Sequence, residues 1–373
     1  MARSFSGKEI SIKPGFIYFL SDTDVQTGRT KPYVKLGKTG PKKRWEAMHP
    51  VQRRIRDLQT GNPHRIHDSY YANREEYLKV TDMNTVELYL HHVFAEQRIL
   101  GEWFWLDNDL FNEATREADW IDSQINEHKT AIEQASKNKK TESEERKIEG
   151  TSELQDLHQN ALKADAKFQT SDAEQECIRL KLILAMGAAT GIKGVIEFPQ
   201  DWKTVINKEA FREKYPTRYD DFLDKRPPEI KGTMKLSDKP KLKELNPALA
   251  SDRKKLTSEV KKTETDQIFS PALERELPHE KLHLDYLKAM KTTVKTWIEL
   301  ELLRIQIMAA CENANQISGI CHWERKLGLE PKAAFNNGKF NKSEFFEEFG
   351  SIEPKPPRKA VQQERHYPVK ERE

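Results

Sequence analysis

The second half of the chain repeats itself. Ala185, Ala189, Ile192, Gly194, Val195 and Phe198 recur as Ala310, Ala314, Ile317, Gly319, Ile320 and Trp323, at a constant offset of 125 residues. Each copy follows a Leu/Ile-rich stretch, 178–186 or 298–308, and precedes an aromatic cluster, Phe211/Tyr215/Tyr219/Phe222 or Phe335/Phe340/Phe345/Phe349. Self-similarity at a fixed period marks one supersecondary unit made twice, with neighbours stacked to bury a common core. The pattern reads as a duplicated module of helix, short hairpin and helix. Ile298, Leu300 and Leu302 also alternate at period two, which leaves strand as an alternative there, but the charged run-in from Pro278 favours helix.

A repeat of this size leaves room for more than one folded unit in 373 residues. With 36% hydrophobic residues, 33% charged residues and a mean hydropathy of -0.84, the chain suits a compact domain joined to solvated helices and polar linkers. The expected order is an α+β domain over 1–110, long helices or a coiled coil over 111–170, module copies over 171–224 and 279–350, a basic linker over 225–278, and a disordered tail over 351–373. Leu154, Leu157, Ala161 and Phe168 carry the helical spacing of the second segment, and the Lys/Glu-dense stretch 137–150 breaks it, as a loop would. The linker reading rests on twelve basic residues, five acidic residues and four prolines between Lys225 and Lys262.

Cys177, Cys311 and Cys321 have neither paired metal spacing nor a disulfide framework, which suits a reducing compartment. No window approaches 18 consecutive apolar residues and the first residues lack an apolar signal core, so a cytoplasmic protein without a membrane span is expected.

The first 110 residues hold the densest signals. Gly15 to Leu20 (GFIYFL) and Tyr33 to Gly37 (YVKLG) are β-branched and aromatic runs around a turn-rich segment, a hairpin pattern. A basic, helix-compatible stretch runs from Lys42 to Leu58 with Pro50 inside it, a third strand is expected near 69–71, and Val86, Leu90, Val93 and Phe94 recur at helical spacing behind Asn84 as N-cap. Between Val25 and Arg65 there are eleven Lys or Arg against two acids, which makes a polyanion the natural partner.

Four blocks in order carry a resemblance: FIY at Phe16 to Tyr18, VKLGKT at Val34 to Thr39, RIRDLQTGNP at Arg54 to Pro63, and ELYLHHVFAEQRILGEWF at Glu87 to Phe104. Over residues 10 to 110 the chain resembles the GIY-YIG nuclease superfamily, in the branch with Lys-Ile-Gly and Gly-Glu-Trp-Phe motifs. Phe16 stands where the name-giving motif has glycine, Lys35 where it has tyrosine, and Leu58 one turn after Arg54 where Tyr or His is common. The resemblance implies a small antiparallel sheet flanked by helices, with Tyr18 as general base or water-orienting hydroxyl, Lys35 beside it, Arg54 bracing the scissile phosphate, and Glu87 holding Mg²⁺ or Mn²⁺. His91, one turn after Glu87, would contact phosphate, polarise water or bind metal. Lys38, Lys42, Lys43, Arg44, Arg53 and Arg56 would bind nucleic acid. No role in the chemistry falls to Glu102, Trp103 or Phe104.

Hydrolysing a phosphodiester needs a base, a cation for the phosphorane and a metal for the leaving oxyanion. The expected function is therefore a metal-dependent endonuclease acting on DNA, with RNA as second candidate, in phage, mobile-element or defence biology. A non-catalytic nucleic-acid-binding protein of the same fold and a coiled-coil assembly protein are the competing readings. The helical region leaves room for self-association.

Overall fold

The computed structural model describes residues 5, 8–23, 30–41, 49–59, 65–67, 77–197, 202–263, 270–328, 332–354, 360–363 and 365. A small antiparallel sheet with helices comes first, and a mainly helical region follows.

The first unit runs β1 (Gly15–Thr23), β2 (Thr30–Thr39), α1 (Pro50–Gln59), β3 (Arg65–His67), β4 (Tyr77–Val80), α2 (Met83–Val93), β5 (Arg98–Leu100) and β6 (Trp103–Trp105). Its strands lie in the order β3-β1-β2-β6-β5, with β4 on the other half of the β1 edge. Side chains alternate across a strand, and here both faces are covered. Ile17, Phe19, Val34 and Leu36 share a core with Val86, Tyr89 and Leu90 of α2; Tyr18 and Leu20 pack with Val51 of α1 on the other face. That is why GFIYFL reads as a continuous apolar run. Pro50 begins α1 instead of interrupting it, since its missing N–H costs nothing at the first helical position. Residues 42–48 and the strand expected at 69–71 lie outside the described residues.

The cap of α2 is Asp82, not Asn84: its carboxylate accepts from Asn84 N and, at 2.6 Å, from the Thr85 hydroxyl. It also accepts from Ser11 N at 3.0 Å, and Met83 N donates to Lys13 O. This buried carboxylate thereby fastens residues 11–13 to the start of α2.

Next come α3 (Asn108–Glu127) and α4 (Lys129–Lys139). Leu110, Phe111, Ala114, Ala118, Ile121 and Ile125 form one buried stripe on α3 and join the core of the first unit. Of the long helices or coiled coil expected over 111–170, the long helices are present as α3, α4 and the start of a further helix at Ser152, and the apolar stripe of α3 faces a sheet-backed core. Part of the expected loop is a strand, β7 (Glu144–Ile148), pairing in parallel with β14 (Ala314–Ile317).

The repeat is built on two long helices, α5 (Ser152–Met186) and α10 (Leu277–Ala310). They pack antiparallel: Ser171 Oγ meets Thr296 Oγ1 at 2.8 Å in the middle, Gln175 reaches Tyr286 on one side, and Ala161 shares a core with Ile307 on the other. The Ile298 to Leu302 stretch is helical, so its period-two alternation is incidental. After α5 follow β8 (Gly191–Ile192), β9 (Ile196–Glu197), β10 (Trp202–Ile206), α6 (Lys208–Lys214), α7 (Pro216–Tyr219), β11 (Leu223–Arg226), β12 (Ile230–Lys231) and β13 (Lys235–Leu236). After α8 (Leu242–Leu245), α9 (Pro247–Thr263) and α10, the second copy runs through β14, β15 (Cys321–His322), β16 (Lys326–Leu327), β17 (Lys332–Phe335), α11 (Asn337–Phe340), α12 (Phe346–Phe349), β18 (Gly350–Pro354) and β19 (Ala360–Val361).

Each copy is thus a helix and hairpin followed by strand, helix and strand, where a single second helix was expected. The copies exchange strands. The β13 strand trailing copy one pairs with β15 of copy two (Lys235 with His322, Leu236 with Cys321); β19 trailing copy two pairs with β9 of copy one at positions 125 residues removed (Ala360 with Glu197, Val361 with Ile196). β10 pairs with β18 and β11 with β17. Gly194 and Gly319 turn the two hairpins at φ of 71° and 67°, the left-handed region that glycine enters without strain. His158 Nε2 donates to Ser237 O at 3.1 Å and its counterpart His283 to Gln362 O at 2.7 Å. Ser171 and Thr296, themselves 125 apart, sit on the local two-fold axis that these pairs define.

Strand exchange overturns two expectations. The segment 225–278 contains strands and helices, with Leu256 and Val260 of α9 packed into a core with Leu180 and Ile183; Pro247 starts α9. Within the expected disordered tail, residues 351–354 lie in β18 and residues 360–361 form β19, while residues 355–359, 364 and 366–373 lie outside the described residues. Cys311 and Cys321, free thiols far apart in the pattern, are buried 3.5 Å apart. Fully buried Arg325 donates to Asn138 O, Glu312 O and Ala314 O, where two helix ends present negative dipoles. Among the described residues no helix is long and apolar enough to cross a membrane.

The exchange predicts a long-range effect. Ending the chain after Pro354 should raise amide hydrogen exchange at β9 and Val195, which lose β19 and the carbonyl bond to Gln362 N, while the β14–β15 hairpin stays protected. Equal deprotection of both hairpins would contradict the exchange.

Candidate active site

Tyr18 lies opposite Gly37 in the β1–β2 pairing, and its ring is buried across that glycine. A Cβ at position 37 would stand 2.4 Å from the Tyr18 hydroxyl oxygen, so the glycine of the Lys-Leu-Gly block is the floor on which the phenol lies. From α1, Arg54 Nε donates to that hydroxyl at 3.2 Å. Among the described residues no carboxylate is within ion-pair distance of Arg54, although Glu102 and Asp57 act on it from farther away. A half-buried guanidinium held by a neutral phenol is an open seat for an anion.

Burial pushes the Tyr18 pKa up, against the Arg54 hydrogen bond and charge that pull it down; the Glu102 and Glu87 charges also raise it. Both carboxylates are therefore in electrostatic reach of the hydroxyl. Lys35, the β2 partner of Leu20, adds nothing to the causes that set the Tyr18 pKa. Lys35 Nζ pairs with Glu102 at 2.6 Å, and the phenol stays protonated at neutral pH. Burial works against the Glu102 carboxylate, but the Lys35 hydrogen bond and charge outweigh it and hold its pKa below the usual range.

Glu87, on the sheet-facing side of α2, pairs with Lys38 at 2.7 Å. Formal charges give three cations (Arg54, Lys35, Lys38) against two carboxylates (Glu87, Glu102), a surplus of one positive charge that rests on Arg54. His91 Nε2 is bonded to Leu36 O at 3.2 Å. Its pKa is lowered to about 4, chiefly by burial and then by the Arg98 charge. It is a neutral brace between α2 and β2 through Nε2.

Of the expected nucleic-acid contacts, Arg53 points inward: it is 5% exposed and donates to Thr39 Oγ1 and Gly40 O, both at 3.3 Å. It ties α1 to the end of β2 and is closed to a ligand. Arg56 is exposed on α1, while Lys42, Lys43 and Arg44 lie outside the described residues. Sequence reasoning missed Glu102, whose place beside Lys35 follows only from the β2–β6 pairing. It also missed an aromatic trio at the rim: Phe16 meets His49 at 4.8 Å and Tyr77 at 5.4 Å between ring centres. The trio accounts for a phenylalanine at position 16, because the ring fills a site lined by two others. Among the described residues no three His, Cys, Asp or Glu side chains cluster as a metal cage. The residues suit an ion held by a single carboxylate, Glu87, with water and substrate oxygens completing its shell, as Mg²⁺ accepts.

Two outcomes follow. Gly37→Ala should displace the Tyr18 ring and lower stability by roughly 1–3 kcal/mol in denaturant unfolding, the cost of overpacking a closed site; an unchanged midpoint would contradict the close approach. His91 and His92 both have pKa values lowered to about 4 from 6.5, so the unfolded chain binds more protons between those values and stability falls as pH drops through that window. A His91→Gln/His92→Gln variant should show a flatter decline of Tm from pH 6.5 to 4 than the parent; an equal slope would refute the assignment.

Residues 15–122 match the family model of the T5orf172 domain, a domain associated with GIY-YIG/HNH-like phage nucleases. No curated protein and no solved structure matches the chain.

Proposed function

We propose that the chain is a metal-dependent phosphodiesterase of the GIY-YIG type that cuts nucleic acid, DNA before RNA, in phage, mobile-element or defence biology. The observation that carries this reading is the Arg54 guanidinium, bonded to the Tyr18 hydroxyl and lacking a carboxylate within ion-pair distance among the described residues. It lies within the segment matched by the T5orf172 domain.

In this reading Arg54 grips the scissile phosphate with the guanidinium edge that Tyr18 leaves open. Tyr18 would orient the attacking water and, in its minor ionised form, take the proton. Glu87 would hold Mg²⁺ or Mn²⁺ in place of Lys38, and such an ion would supply charge stabilisation to the leaving oxygen. Lys35 and Glu102 fix the β2–β6 side of the site, and His91 keeps α2 at its distance from β2.

One observation favours a second reading. Both carboxylates are neutralised by lysines, the arrangement expected of a protein that grips phosphate without cutting it.

Plasmid DNA incubated with the protein and Mg²⁺ or Mn²⁺ separates the two. Nicking or cutting that Glu87→Gln abolishes, with unchanged unfolding, supports the nuclease. DNA binding with no cleavage under either metal supports the second reading. Because the Tyr18 pKa is raised above 10, a rate that depends on its ionisation should climb about tenfold per pH unit from neutral towards 10, and Tyr18→Phe should lose that climb.

A further inference from the structure

Beside Glu87 lies a cavity of about 590 Å³ whose wall comes from three distant parts of the chain: the arm 8–13, the α2–β5 side of the first unit, and Gln363 behind the second copy. Pockets of about 300–1,000 Å³ commonly hold small ligands. Lys8, Lys13, Lys38 and Arg98 line this one against Glu9 and Glu87. Glu9 is already paired with Lys139, and Glu87 with Lys38. Among the described residues neither Lys8 nor Lys13 has an ion-pair partner. The two histidines in the wall are uncharged at neutral pH, so the balance of the cavity is cationic.

Each part of the wall is fastened. Asp82 holds residue 11 and Met83 N holds Lys13 O. Arg98 Nε donates to Gly101 O at 2.5 Å, and Arg98 O receives Arg365 N at 2.7 Å. Gln362, next to Gln363, bonds Val195 O through its N–H and His283 through its carbonyl. A cationic cavity this well anchored, adjoining the carboxylate assigned to the metal, has a shape and charge that suit the backbone of a strand leaving the site.

We propose that this cavity is a phosphate-binding subsite for the nucleic-acid strand flanking the scissile bond, with Lys8 and Lys13 as its phosphate contacts. The assignment rests on the nucleic-acid reading of the Tyr18–Arg54–Glu87 site and adds residues that none of its motifs contains. It also gives the trailing segment of the second copy a place in substrate binding, through Gln363. A free nucleotide has the same phosphate chemistry, so the test separates it from a strand.

Binding of a short labelled duplex of random sequence, measured in EDTA over a salt series, reads phosphate contacts without cleavage. Each lysine that neutralises one phosphate contributes about 0.9 to the slope of log K against log salt. Lys8→Ala and Lys13→Ala should each lower the slope by about 1 and the double variant by about 2, while Lys147→Ala, an exposed lysine on β7, keeps the parent slope. Parent binding with unchanged slopes in Lys8→Ala and Lys13→Ala overturns the subsite and leaves the nuclease reading standing. Thermal stabilisation by adenosine monophosphate that Lys13→Ala removes, with unchanged duplex slopes, overturns it in favour of a free-nucleotide pocket. Failure of the parent to bind any duplex overturns the subsite and the nucleic-acid reading together. Lowered slopes in a protein that cuts nothing with Mg²⁺ or Mn²⁺ support the subsite and leave only the catalytic reading refuted.

Discussion

The antiparallel packing of α5 against α10 is the constraint on which the rest of the molecule depends. Along its length α10 enters three cores: Tyr286, Leu287 and Met290 join the first hairpin, Val294 through Ile305 join the sheet unit, and Ile307 joins the second hairpin. Burying one such side chain contributes about 1.5–3 kcal/mol, so this helix holds together parts that have little sequence in common. Antiparallel pairing places the start of each long helix beside the end of the other, which lets each trailing strand reach the neighbouring hairpin. Reciprocal exchange is therefore a consequence of the helix pair.

The candidate site inherits its rigidity from the same scaffold. The α2 helix that carries Glu87 and His91 lies between the sheet and α10, with Val86 and Leu90 in the core that Val294 and Trp297 also share. Tyr18 has no freedom to swing because Gly37 is its floor and α1 its cover. In the proposed reading what stays adjustable is charge: Lys38 would release Glu87, and Arg54 keeps an open edge. A stiff frame with exchangeable ion pairs suits a site that must accept a polyanion and then let it go.

The strand runs of β1 and β2, the helix over α2 and the period of 125 were legible in the sequence because each is a local or strictly periodic signal. Exchange of β13 and β19 was not, since strands of only two residues, Lys235-Leu236 and Ala360-Val361, are too short to carry a period that names a partner 85–87 or 163–165 residues away. The same limit hid Glu102, which meets Lys35 only through cross-strand pairing. Arg53 and Arg54 are adjacent and chemically identical, yet helical rotation sends one into the β2 end and the other to Tyr18. The bond of His91 to Leu36 O could not be read from spacing either.

The central claim is that Tyr18 and Arg54 act on one phosphate as a single unit, positioned by their mutual hydrogen bond. A double-mutant cycle on the single-turnover cleavage rate, using Tyr18→Phe, Arg54→Ala and the combined variant with Mn²⁺, measures that directly. A combined loss close to that of the slower single variant is expected, because either change dismantles the unit. Losses that multiply would mean two independent sites, and would contradict the account.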